Sequence, residues 1–246
     1  MGPHPIATLL GVAVVAASSA CGPVTPSTQA SPQSQVTTST TSSASARPTT
    51  TTAARTGVYG DPAAAAKYWQ QQSLEDNCGL VSVADVVGQI TGHAPTEQQM
   101  IALAVSTPSG TNPGPIYAPV NDPSHANGTG GIEMADEVVL LEHYGIKSVM
   151  TDATTHPEQT GLPALQRYLT DSRKIIAWVN SAVIWNTSDQ RTAADHFLVV
   201  TGIDTNTEVV HLNDPGADHA DEQVAIAAFT TAWQTGGDSI VVTVAA

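Results

Sequence analysis

Cysteine and positive charge are what this 246-residue chain has least of. It carries two cysteines, Cys21 and Cys78, and eight lysines and arginines against 22 aspartates and glutamates. So few cysteines exclude a scaffold stapled by disulfides. The shortage of basic residues argues against nucleic acid as a partner and against adsorption to anionic lipid. The apolar run Ile6 to Ala20 is too short to span a bilayer. There is no internal repeat and no Gly-rich phosphate loop. The polar stretch His211-LNDPGADHADE, with His211, Asp214, Asp218, His219, Asp221 and Glu222, has none of the usual zinc-ligand spacings. The chain is therefore expected to work without metal or cofactor.

What is present divides into three parts. Residues 1–21 read as a signal peptide, an apolar run of small residues ending in Ser18-Ser19-Ala20-Cys21. That ending resembles a bacterial lipobox, which implies cleavage before Cys21 and acylation of its thiol; ordinary secretion with cleavage nearby is the alternative. Residues 22–56 are rich in Ser, Thr, Pro, Ala and Gln, with Arg47 and Arg55 as their only charges. Such a segment buries too little apolar surface to offset its ordering entropy and reads as a disordered tether. Residues 57–246 have the size of one domain. All 22 acidic residues lie there against six basic ones, a net charge of −16.

Within that domain the order is helices first and strands later. Asp61-Pro62-AAAAKYW predicts a capped helix to about Trp69. Leu80, Val83, Ala84, Val87 and Ile90 recur at helical spacing from Gly79 to Gly92. Thr96-Glu97-Gln98-Gln99 is a capping-box pattern for a helix to about Val105. Pro108 to Gly131 reads as a long loop, Ile132 to Tyr144 as a helix with Met134, Val138 and Leu141 on one face, Ile146 to Met150 as a strand, Leu162 to Leu169 as a helix and Lys174 to Asn180 as a strand. His196-FLVVTGI and Glu208-VVHLND, joined by Asp204-TNT, read as an antiparallel pair. Glu222 to Trp233 is expected to be a helix and Ser239-IVVTVA a closing strand. This pattern predicts an α+β fold, with a helical N-terminal lobe and an antiparallel β-sheet C-terminal lobe.

The chemistry gathers around Cys78. If Cys21 is lipidated or removed, Cys78 has no partner, and an unpaired thiol in an oxidising compartment is either buried or used. It stands at a predicted helix N-terminus, a setting that favours thiolate. A nucleophilic cysteine needs a base, and the base a third group to orient it. His196, opening one strand, and Asp214, closing the next, are expected near the same end of the sheet. The backbone N–H of Cys78 and the side-chain amide of Gln72 are candidate donors to an oxyanion. Asp195 is expected to tune the charge of the rim, and Trp185 to wall a substrate groove or to pack. Cys78 also has a plain reading as a small buried hydrophobe.

Gln72, then Cys78-Gly79, then His196 with its apolar strand and Gly202, then Asn213-Asp214-Pro215, resemble the papain-like cysteine peptidase fold of the bacteriocin-processing (double-glycine leader) peptidases and their free-standing exported relatives. The resemblance spans about Trp69 to Ala246. It implies that Cys78 is the nucleophile, His196 the general base, Asp214 its orienting acid and Gln72 the oxyanion amide. Leu80-Val81-Ser82 replaces the family's usual Pro or Ala-Ala pair after Cys-Gly. No transporter segments accompany the domain, so neither an export role nor double-glycine specificity is implied.

The expected function is that of an exported thiol hydrolase acting on peptide or isopeptide bonds, with a peptide or protein as partner. Membrane contact is expected only through the anchor at Cys21. Acyl transfer or amidase activity on the cell envelope is the second class, because the same chemistry proceeds when an amine replaces water. The third is a tethered, non-catalytic binding module, favoured if Cys78 is buried or unreactive, or if His196 lies out of its reach.

Overall fold

Apolar runs in a chain of this size bury themselves only by pairing and stacking, and here they do so around one antiparallel sheet. The computed structural model describes residues 57–122, 131–189 and 191–245. The expected signal peptide with Cys21, the tether 22–56 and residues 123–130 of the long loop lie outside them. Among the described residues no helix is long and apolar enough to cross a membrane.

The first helices start where their caps stand. α1 (Pro62–Ala65) begins beyond Asp61, whose carboxylate accepts from Ala64 N, and tightens into a 3-10 turn over Ala66–Tyr68. α2 (Cys78–Thr91) stops at Gly92, whose φ of 82° suits a residue without Cβ. α3 (Glu97–Ser106) carries the expected capping box, with Thr96 and Gln99 answering each other's backbone N–H. α4 (Met134–His143) starts two residues later than its periodicity suggested. α2 is buried all round from Cys78 to Gly88, as a central helix must be. Ile90 projects past the packed turns and is exposed.

The strands are β1 (Val58–Gly60), β2 (Ser148–Thr151), β3 (Ile175–Val179), β4 (His196–Asp204), β5 (Val209–Asn213), β6 (Glu222–Ala225) and β7 (Ile240–Thr243). They run in the order β2-β7-β3-β4-β5-β6, all neighbours antiparallel, and β1 also pairs with β4. β3 takes His196 to Val200 and β1 takes Gly202 to Asp204, so two short strands complete the long central one.

Because side chains alternate along a strand, the sheet feeds two cores. Leu198, Val200, Ile175, Ala177 and Val242 pack with α5 (Leu162–Thr170) and α7 (Ile226–Gln234). Phe197, Val199, Ile176 and Val241 pack with α2, α3 and α4. This double coverage explains why β4 reads as a continuous apolar run. A short α6 (Ser181–Ile184) follows β3. One expectation is corrected: Glu222 to Trp233 is not a single helix. Its first four residues pair with Val209 to Leu212 as β6, and helix begins only at Ile226. The backbone groups on the outer edge of β5 claim the segment against its helical pattern. β1 was not anticipated.

The helical layer is tied to the sheet by a buried carboxyl. Asp85 of α2 accepts from Asn213 Nδ2 at 2.7 Å and from Gln89 Nε2, and Asn213 Nδ2 also donates to Ala65 O at 3.0 Å. Burial pushes the Asp85 carboxyl up to about 7, against the hydrogen bonds of Gln89 and Asn213 and the charge of Lys174. A carboxyl raised on folding binds its proton more tightly in the native state, so its contribution to stability falls as pH rises from about 4 to about 7. The expected slope is at most about 1.4 kcal/mol per pH unit. Asp85→Asn should flatten that part of the curve. It should also cost about 1–3 kcal/mol at pH 5, because an amide NH₂ then faces a donor. Urea titrations of both proteins from pH 4 to 8 test this.

Candidate active site

The segment entering α2 is held before the helix begins. Glu97, on α3, accepts from Ser73 N at 2.6 Å, Ser73 Oγ at 2.7 Å and Asn77 Nδ2 at 2.7 Å. Burial opposes the charge of Glu97, but these three donors outweigh it and hold the carboxyl below its ordinary value. Asp76 accepts from Tyr117 OH at 3.0 Å and from Gly131 N at 3.3 Å. Cys78 then occupies the first position of α2, where backbone N–H groups have no partner within the helix.

β4 and β5 bring the other two groups to the same place. His196 opens β4, and Asp214 follows the last residue of β5. His196 Nε2 lies 2.6 Å from Asp214 Oδ1. Cys78 lies close enough to the imidazole for its hydrogen-bonding capacity and its charge to help raise the His196 pKa. Phe197 N donates to Cys78 Sγ at 3.5 Å. Cys78, His196 and Asp214 are 7%, 4% and 0% exposed, so the three form a chain running inward.

The electrostatics follow from that burial. Desolvation alone would lower the His196 pKa, but the hydrogen bond to Asp214, with those of Cys78 and the two charges, pushes it up to about 10. Desolvation works against the charge of Asp214 too. The bond and charge of His196, then Gly216 N and Trp185, overcome it and hold Asp214 below its usual range.

Asp214 is fixed from several directions. Oδ1 accepts from Gly216 N at 2.7 Å, Oδ2 from Trp185 Nε1 at 2.9 Å, and its backbone carbonyl from Trp69 Nε1 at 2.6 Å. The Trp185 ring lies 5.1 Å from that of His196 at 58°. Trp185 thus both lines a groove and orients the acid, a role its place in the sequence did not reveal. Asp195 accepts from Ser181 N and Oγ at 2.9 Å each and pairs with Arg191.

Gln72 reaches the site as well. Its backbone N donates to Pro215 O at 2.9 Å, and its side-chain Nε2 donates to Leu74 O at 2.7 Å. An amide nitrogen carries two hydrogens, so one remains for a ligand. Gln72, Leu74, Glu75, Trp185, Arg191 and His196 are among the residues lining a cleft of about 550 Å³. Of the three residues Cys78, His196 and Asp214, His196 is the one in that lining.

One carboxyl escaped sequence reasoning, and a second was read there only as part of a polar stretch. Glu137, on α4, is fully buried and neither oxygen has a partner among the described residues. A Cβ placed on Gly79 would stand 3.1 Å from Glu137 Oε1, so this acid lies under the first turn of α2. Burial, and then the charge of Cys78, push it well above its usual value. The available signal was its spacing, three residues after Met134 and four before Leu141, on the apolar stripe of α4. Glu222 is pushed up to about 7 by burial and by neighbouring Asp214. Nearby in the sequence, His211 of β5 pairs with Asp221, and His219 with Asp218.

Gly216 has no room for a side chain: a Cβ there would come within 2.5 Å of Trp185 Cζ2 and 3.3 Å of Asp214 Oδ1. Gly216→Ala is therefore expected to expel the indole, cost about 1–3 kcal/mol by overpacking and red-shift tryptophan emission. Fluorescence and urea denaturation of the variant check both.

Comparison with known proteins adds the following. A family model described as the Peptidase_C39 like family matches residues 64–241. Uncharacterized proteins of Mycobacterium tuberculosis and Mycobacterium bovis are each 44% identical over 201 residues, covering 78% of this chain and 86% of theirs. Among solved structures, a protein of Bacillus anthracis described as a C39-like peptidase aligns with 72% of this chain and 93% of its own at 18% identity and a TM-score of 0.48. A double glycine motif protease from an AMS/PCAT transporter, solved with its leader peptide, aligns with 70% of this chain and 88% of its own at 15% identity and a TM-score of 0.41.

Proposed function

The chain belongs to the Peptidase_C39-like family, and on that premise we propose that it is an exported thiol hydrolase that opens peptide or isopeptide bonds. The observation that carries the reading is the imidazole of His196, hydrogen-bonded to Asp214 at 2.6 Å, with Cys78 beside it and accepting from the N–H of the next residue, Phe197. Membership of the family supports a peptide substrate. Export, with Cys21 acylated to tether the domain to the outer face of the cell membrane, rests on the N-terminal sequence.

The chemistry then proceeds in two balanced halves. Cys78 Sγ attacks the substrate carbonyl while its proton resides on His196, and an S–C bond forms as the carbonyl oxygen becomes an oxyanion. The Cys78 N–H and the second hydrogen of the Gln72 amide face that charge. Collapse breaks the C–N bond, and His196 delivers its proton to the leaving amine. Water, deprotonated by His196, attacks the thioester and releases the acid, and the sulfur leaves with the proton returned. Asp214 keeps the imidazole oriented and stabilises its positive charge.

A non-catalytic binding module remains the second reading, because Cys78 is 7% exposed. Reactivity separates the two. Asp214 lies below its usual range and His196 holds its proton to about 10. The charged pair therefore persists between those limits, is lost as Asp214 protonates in acid and as His196 deprotonates in alkali. Iodoacetamide should label Cys78 in the full chain rapidly at pH 5–6, well below the ordinary thiol pKa of about 8.5, and His196→Ala should abolish that fast phase. Slow labelling with an ordinary thiol profile in both proteins would leave the binding module standing.

A further inference from the structure

The cleft beside His196 has an uneven charge that the reaction itself does not require. Its cations are Arg191, which Asp189 and Asp195 pair from both sides, and His196, which Asp214 pairs. One cation is thus bracketed by two carboxylates, and the corner offers no free positive charge to a ligand. Glu75 lines the same cleft, is exposed, and has no ion pair or hydrogen bond among the described residues. Its neighbours Ser73 and Asp76 are both tethered, to Glu97 and to Tyr117, so the backbone that presents Glu75 is held on both sides. Two further features suit the same ligand. Trp185 is 41% exposed although its Nε1 is anchored on Asp214, so the indole is both fixed and available. Leu74, also in the lining, provides an apolar surface beside Glu75.

We propose that this cleft selects a cationic group, a lysine or arginine side chain or an alkylamine, next to the bond that Cys78 attacks, with Glu75 as the specificity-determining residue. The stem of such a group lies along apolar surface while its head stays polar, as long basic side chains do. Leu74 and the indole face suit the stem, and the Glu75 carboxylate suits the head. A cation over an indole adds an attraction of its own. The domain's net charge of −16 draws cationic ligands toward it from a distance and repels acidic ones. An anionic substrate would meet Glu75 while Arg191 is already engaged by Asp189 and Asp195 and His196 by Asp214.

The inference rests on the hydrolase reading for its bond-breaking step, and the experiment separates the two. Quenched-fluorescence peptides, each position set in turn to Lys, Arg, norleucine, acetyl-lysine or Glu, are offered to the full chain and to its Glu75→Gln and Glu75→Lys variants. Lys and Arg should exceed norleucine about tenfold in kcat/KM at one position, the combined size of an exposed ion pair and a cation–π contact. Glu75→Gln should remove most of that preference, and Glu75→Lys should turn it toward Glu. Salt should weaken it, while iodoacetamide labelling of Cys78 stays unchanged in both variants.

Cleavage that depends on Cys78 but ignores Lys and Arg, or a preference that survives Glu75→Gln, overturns the proposal. If no peptide is cleaved, the hydrolase reading fails by itself. Anisotropy of dye-labelled Lys and norleucine peptides on Cys78→Ala then still decides cation selection, equal binding refuting it. Adding cadaverine tells the two sources of the cation apart. Glu75-dependent amide formation with cadaverine assigns the site to an amine acceptor, and Glu75-dependent hydrolysis of Lys peptides assigns it to the substrate's own side chain.

Discussion

The hydrogen bond between His196 and Asp214 is the contact around which this domain is arranged. A carboxylate with no exposed surface is tolerated only if its lone pairs are answered, because a buried unpaired charge costs several kcal/mol. Asp214 is answered by an imidazole, a backbone N–H and an indole N–H. Each donor comes from a different place: the start of β4, the turn after β5 and the end of α6. The register of β4 with β5, the absence of a side chain at Gly216 and the inward turn of Trp185 are therefore a single requirement. None of the three can shift without exposing the charge or orphaning it.

The carboxyls around that centre show how burial and partners push the same group in opposite directions. Glu97 and Asp214 are desolvated, yet their hydrogen bonds more than compensate and both stay ionised. Asp85, with amide partners only, and Glu222, beside an existing negative charge, are pushed up to about 7. Glu137, with no donor among the described residues and a sulfur nearby, is pushed up as well. Negative charge thus sits where it orients the imidazole and the segment before Cys78. It is suppressed beneath the start of α2, where it would compete with the sulfur for the same helix end.

Much of this was legible from local pattern. The Asp61 and Thr96 caps, the apolar stripe of α2 that puts Cys78 at a helix start, and the β4–β5 hairpin that brings His196 near Asp214 all rest on interactions among residues close in the chain. The expected helix over Glu222 to Trp233 failed at its first four residues because the free edge of β5, a distant element, took them as β6. Trp185 was left as a groove wall or a packing residue, and its bond to Asp214 went unseen. Glu137 sat on the apolar stripe of α4, where a carboxyl is anomalous, and the anomaly was the only trace of its place under Gly79.

The sequence by itself determined the chain's chemical inventory and its local structure: one thiol at a helix N-terminus, one histidine and one aspartate at matching ends of paired strands, and an acidic domain. Periodicity and capping act over a few residues and are written in order along the chain. Only the tertiary structure decided that Cys78 meets His196, that Glu97 clamps Ser73 and Asn77, that Trp185 turns inward to Asp214, and that Arg191 is neutralised while Glu75 stays free. These contacts join separate elements through side-chain direction and packing. Such contacts are set by the whole core at once, and no local spacing encodes them.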